Sequence, residues 1–177
     1  MNLLQSGRPV STQWTRLLLG CALALPMAAL VALPAKSQRP LRLTDLKCYD
    51  VVGNLDIVDG ARDVVVNRQV YSSISYFDSL VGNRQELTCK LPPNAQTLSL
   101  TLMFDDRQGQ SSAWMLNFYV DGRSAGRVSA QSGARQPVRV DLGGGSNLTI
   151  EAINRSNTRY LYMTEAEIQL RPGSGFR

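Results

Sequence analysis

The chain has 177 residues, of which 44% are apolar and 19% charged, and it contains no histidine and three cysteines. That length holds one hydrophobic core of ordinary domain size. The composition excludes a disordered chain and a multi-pass membrane protein. Without histidine there is no Ser-His-Asp or Cys-His triad and no His-containing zinc site, and three cysteines do not make a Cys₄ site. The net charge is +5, and three of the positive charges are Arg8, Arg16 and Lys36 in an acid-free N-terminus, so the remainder is only +2. The arginines of that remainder are dispersed, which speaks against nucleic acid as a partner.

From the N-terminus, Arg16 is followed by an uncharged, Leu/Ala-rich run from Leu17 to Ala35 and then Lys36. A basic flank, an apolar stretch and small residues at its end describe a secretory signal, with cleavage expected between Ala32 and Ser37. The competing reading is an uncleaved anchor helix over 17–35, long enough to reach across a bilayer core. Either way the protein is expected outside the cytosol, periplasmic or secreted, with membrane contact only if the segment is retained. The first unit is therefore 1–37 and the folded domain 38–170. The Gly/Pro-containing stretch 171–177 is read as a loose tail.

Cys48 and Cys89 follow the signal. In an exported chain an even pair is most simply a disulfide, and no Cys-x-x-Cys spacing suggests a redox role.

Downstream, period-two alternation dominates. Leu87, Cys89 and Leu91 share a face, ended by Pro92-Pro93-Asn94. Leu98, Leu100, Leu102 and Phe104 alternate with Thr97, Ser99, Thr101 and Met103. Leu116, Phe118 and Val120 alternate with Asn117 and Tyr119, and Asp121-Gly122 then reads as a hairpin turn. Val138, Val140 and Leu142 lead into Gly143-Gly144-Gly145-Ser146. Leu148, Ile150 and Ala152, and finally Ala166, Ile168 and Leu170, complete the series. Val64 to Val66 and Val70-Tyr71 are shorter candidates. No helical stripe intervenes after the signal, so the fold class is all-β, an antiparallel β-sandwich whose sheets each have a core face and a wet face.

The order of these features resembles the NPCBM group of proposed carbohydrate-binding modules. The resemblance runs over most of 41–170. It rests on Leu43-Thr44-Asp45-Leu46 as an opening strand, Val64 to Ile74 with its polar turn before a Tyr, and Leu98 to Phe104 ending in Asp105-Asp106. It continues with Phe118-Tyr119-Val120-Asp121-Gly122, and with Pro137 to Leu142 followed by a Gly-rich turn and Leu148-Thr149-Ile150. It implies a galactose-binding-like jelly roll and a glycan ligand. The chain departs from the family where Ser72 to Ser75 replaces a His-bearing segment and where Tyr160 to Glu167 replaces an Asp-His-x-x-Trp stretch. A glycan function therefore follows from fold-level analogy.

A sugar site needs an aromatic face and planar hydrogen-bonding groups. Two loops carry such residues: Asp105, Asp106 and Trp114 in one, and Asn154, Arg155, Asn157, Arg159 and Tyr160 in the other. In the resembled fold they share one end of the sandwich, so these eight residues are the expected ligand-binding set, with Trp114 and Asn154 partly exposed. Asp105-Asp106 could also suggest a hydrolase, but neighbours on an extended chain face opposite ways and no second carboxylate is placed beside them. No cofactor is expected; calcium is the metal an acidic loop of this kind could take. The reading is a non-catalytic exported module that binds glycan or cell-envelope polymer, against an alternative in which the same scaffold binds an envelope protein.

Overall fold

A computed structural model describes residues 40–79, 84–109, 113–155 and 158–171. The signal or anchor segment and residues 172–177 lie outside the described residues. Arg171, expected to begin a loose tail, is held in place: its N–H donates to the Asn94 carbonyl at 2.8 Å and its own carbonyl accepts from the Asn94 side chain at 3.3 Å.

The strands form two antiparallel sheets. Sheet one runs β3 (Asp56–Val66), β4 (Gln69–Asp78), β11 (Tyr160–Leu170), β6 (Ala95–Met103) and β9 (Gln136–Asp141). A two-residue β1 (Leu41–Arg42) pairs with the far half of β11. Sheet two runs β2 (Cys48–Val52), β5 (Arg84–Lys90), β10 (Asn147–Asn154), β7 (Ala113–Val120) and β8 (Arg123–Gln131). The core lies between them. Leu98, Leu100 and Leu102 of β6, Leu116 and Phe118 of β7, Val140 of β9, and Leu148, Ile150 and Ala152 of β10 are all buried in one cluster. These are the positions that alternation assigns to the core face. Each buried Leu or Phe contributes about 1.5–3 kcal/mol.

Cys48 and Cys89 sit directly opposite each other on β2 and β5 and are bonded. The bridge closes 41 residues of sequence. In the chain-entropy account a loop of that size is worth about 4 kcal/mol, and here it fastens the short edge strand β2 to the sheet.

Three local expectations are revised. Leu43–Asp45 is a 3₁₀ turn rather than an opening strand, because the Asp45 carboxylate accepts the Arg42 N–H at 3.0 Å and closes the chain on itself. The Val64 and Val70 segments belong to a much longer hairpin, β3–β4. In β11 the apolar parity changes: Leu161 and Met163 face the core, then Ala166 and Ile168 do. The bulge between Met163 and Glu165 inserts the residue that makes both halves compatible with one buried face.

The β3–β4 hairpin explains a second apolar layer. β4 pairs with β11 only over Ser75–Asp78, and beyond that the hairpin leaves the sheet edge. Its Val64 and Val66 pack on Tyr76, Met103 and Tyr162, which are the outward neighbours of core residues Phe77, Leu102 and Leu161. The outer face of sheet one is thus partly roofed by its own hairpin.

Candidate functional site at the loop end

Antiparallel pairing brings the β6–β7, β8–β9 and β10–β11 connections to one end of the sandwich. Trp114 is paired with Asn154, and the Arg155 N–H donates to the Ala113 carbonyl at 3.1 Å. The Ser132 hydroxyl donates to the Gly109 carbonyl at 3.1 Å, and the Ser79 N–H to the Arg159 carbonyl at 3.1 Å.

The turn after β6 is built by Asp105. Its carboxylate accepts the Arg107 N–H at 3.1 Å and caps a 3₁₀ turn over Asp106–Gln108. The Arg107 side chain returns to the same carboxylate, Nε lying 2.9 Å from each oxygen, and Nη2 also donates to the Asp63 carbonyl at 2.8 Å. Burial by itself would raise the Asp105 carboxyl, but the hydrogen bonds from the Arg107 side chain and backbone outweigh it and hold it below the usual carboxylate range. Asp105 is therefore a brace between the turn and the roofing hairpin. Its oxygens are already committed to a guanidinium, so it is not a free ligand group. The tandem acids do not act together: Asp106 faces away, half-buried, into a cleft.

That cleft has a volume of about 480 Å³ and is lined by Asn67, Arg68, Asp106, Ser132 and Gly133. Asn67 and Arg68 form the tip of the β3–β4 hairpin, both in the left-handed region at φ 49° and 64°. Two consecutive left-handed residues make the tight turn whose twist matches paired strands, and Arg68 holds that conformation without being glycine.

Beside the turn lies a cluster of tyrosines on the outer face of sheet one. Tyr76 is 5.4 Å from Tyr160 and 5.8 Å from Tyr162, centroid to centroid. The Arg62 guanidinium lies 5.2 Å above Tyr76, and Arg159 lies 5.6 Å from Tyr160 while pairing with Asp78. The Gln108 amide donates to the Tyr162 hydroxyl at 3.3 Å, and its buried Oε1 has no partner among the described residues. Burial pushes the Tyr162 phenol up.

The residues expected to form one site divide accordingly. Asp106 lines the cleft. Arg155 is exposed at the loop end. Arg159 and Tyr160 belong to the tyrosine cluster. Asn157 lies outside the described residues. Trp114 and Asn154 correct the expectation of partial exposure, at 1% and 2% exposed. Trp114 is the first inward residue of β7, in step with Leu116 and Phe118, and its ring packs edge-on against Phe104 at 6.4 Å. Asn154 donates to the Thr158 carbonyl at 2.8 Å and ties its own loop. Neither presents a face to a ligand.

Asn67, Arg68 and Ser132 escaped the sequence reading. An Asn at a strand break was the available signal for the first; the other two enter the site only because the hairpin bends over the sheet.

No family model matches the sequence, and no curated protein does. Solved structures do match in fold. The CBM51 and INT domains of Clostridium perfringens ZmpB superpose with a TM-score of 0.58 at 11% identity, over 73% of this chain and 31% of that one. CBM51 of Clostridium perfringens GH95, in complex with methyl-galactose, gives 0.55 at 11% identity, over 74% of this chain and 100% of that one. The tandem CBM51 modules of a Streptococcus pneumoniae family 98 glycoside hydrolase give 0.59 at 8% identity, over 74% and 47%. This chain spans less than half the length of the first and third of these. What is shared at such identities is architecture: the chain has the galactose-binding-like jelly-roll fold of carbohydrate-binding modules.

Proposed function

We propose that the domain is an exported, non-catalytic module that binds glycan in the loop-end cleft. The observation that carries this is the cleft itself. On a fold otherwise seen in glycan-binding modules, Asn67, Arg68, Asp106 and Ser132 converge on an open volume of about 480 Å³. An amide, a guanidinium, a carboxylate and a hydroxyl are the donors and acceptors that sugar hydroxyls take up, and a few placed polar groups fix orientation in a concave site. The bonded cysteines support an oxidising compartment, periplasmic or extracellular, with 17–35 as a membrane anchor if it is retained. No cofactor enters this reading.

A second reading, that the cleft holds a segment of an envelope protein, is favoured by one observation: burial of Trp114 removes the aromatic stacking face expected there, which a peptide does not need. A glycan array on the purified protein, run beside a pull-down from envelope extract, tests both. The expected result is a glycan signal lost in Asp106→Ala and Asn67→Gly without a fall in melting temperature, glycine being free of strain at the left-handed Asn67 position. A blank array with a captured protein that depends on Asp106 would replace the first reading by the second.

A further inference from the structure

The outer face of sheet two shares none of the cleft's lining residues and carries a different arrangement. Its registers set out two rows across the strands. In one, Tyr49 of β2 lies opposite Thr88 of β5, which lies opposite Thr149 of β10, which lies opposite Tyr119 of β7. In the adjacent row, Glu86, Glu151, Asn117 and Arg127 follow one another on β5, β10, β7 and β8.

The second row is pre-organised. Glu151 is only 5% exposed although it faces away from the core. Its Oε2 accepts from the Asn117 amide at 2.6 Å and from the Tyr119 hydroxyl at 3.0 Å, and Arg84 pairs with Oε1. Burial works to raise the Glu151 carboxyl, but these bonds prevail and keep it ionised below the ordinary range. The Asn117 carbonyl in turn accepts Arg127 Nε at 2.7 Å. Among the described residues Arg127 has no acid partner; it is exposed, with its Nε held on Asn117.

The same bonds decide how Tyr119 lies. Its cross-strand neighbour is Thr149, yet its hydroxyl reaches Glu151, the diagonal position. That bond anchors the tip of the half-buried Tyr119 ring on the neighbouring strand. Tyr49, 55% exposed, stands at the other end of its row. Three strand spacings separate the two backbone positions, about 14 Å, with a hydrogen-bonded Thr88–Thr149 pair between them. The cations of this face are Lys47, Arg84, Lys90 and Arg127, against Glu86 and Glu151, both of which Arg84 already pairs with.

We infer that this face is a second binding surface, for an extended polysaccharide that carries carboxylates. Its sugar rings lie on Tyr119 and Tyr49, and a uronate carboxylate sits in the fork of Arg127. The two positions are too far apart for one monosaccharide and suit a chain running across the strands. Stacking supplies contact area, the fork supplies charge-assisted hydrogen bonds, and the hold of Asn117 on Nε lowers the ordering cost at binding.

The test uses oligogalacturonates of increasing length, with neutral oligogalactosides as the comparison, titrated into the full protein. Affinity should rise with length up to a few sugars, fall with salt, and exceed that for the neutral chains at least tenfold. Tyr49→Ala and Arg127→Ala should each weaken it about tenfold or more with unchanged melting temperature, and Asp106→Ala should leave it intact. Arg127→Lys, which keeps charge but not the fork, should recover only part. No binding of any oligogalacturonate, equal binding of neutral chains, or loss in Asp106→Ala but not in Tyr49→Ala would overturn the proposal. Only the last of these moves binding to the loop-end cleft, so failure here is distinguishable from failure of the cleft.

Discussion

Trp114 shows how much a single position depends on where its strand begins. With β7 starting at Ala113, Trp114 falls in phase with Leu116 and Phe118 and becomes part of the core. Trp114→Ala should therefore cost about 3–5 kcal/mol of stability. Chemical denaturation checks this, and a melting temperature within a degree or two of the parent would show that the ring is dispensable to the core. Arg68 is the opposite case. At φ 64° it occupies a turn position that glycine fills without strain, so Arg68→Gly should leave stability unchanged or raise it by up to about 1 kcal/mol. The same change removes a charged donor from the cleft and should weaken ligand. Stability gained with binding lost is the signature of a residue kept for function.

Among the elements, β6 offers a test of facing. Leu100 is in the core, and Leu100→Ala should cost about 2–5 kcal/mol. Thr101, one residue on, faces outward, yet it is only 7% exposed and its hydroxyl donates to Glu165 at 3.1 Å. Thr101→Ala should cost about 1 kcal/mol, the ordinary worth of such a bond. Equal losses in equilibrium unfolding would mean that the register is wrong. The edge strand β2 depends on its disulfide: Cys89→Ser should lower stability by about 2–5 kcal/mol, and thiol labelling of the denatured, unreduced protein should find neither Cys48 nor Cys89 free.

For the molecule as a whole, pH is the informative variable. Asp105 and Glu151 each brace a different sheet, and both are held below their ordinary ranges when folded. A carboxylate with a depressed folded pKa adds stability that is complete above its unfolded value, near pH 4, and is lost as pH falls through the folded value. The melting temperature should thus stay level through neutral pH and drop below about pH 4. Asp105→Asn or Glu151→Gln should each flatten that drop while lowering the neutral plateau. A plateau that persists to pH 2 would mean these networks carry no stability.

Local sequence determined a good deal of this protein. Period two marked the inward residues of β6, β7, β9 and β10, and Asp121-Gly122 marked its hairpin, because side-chain direction and left-handed turns are properties of neighbouring residues. The bonded pair Cys48 and Cys89 followed from counting cysteines in a chain read as exported. The site was not legible in the same way. The bulge in β11 and the bend of the β3–β4 hairpin have weak local signals, and they decide which side chains meet. They roof Tyr76 and Tyr162, bring Asn67 and Arg68 to Asp106, and set the Asp63 carbonyl against the Arg107 guanidinium. Loop composition alone cannot tell a brace such as Asn154 from a ligand group, since both need the same polar atoms. Burial and partners distinguish them, and those exist only once the two sheets have packed.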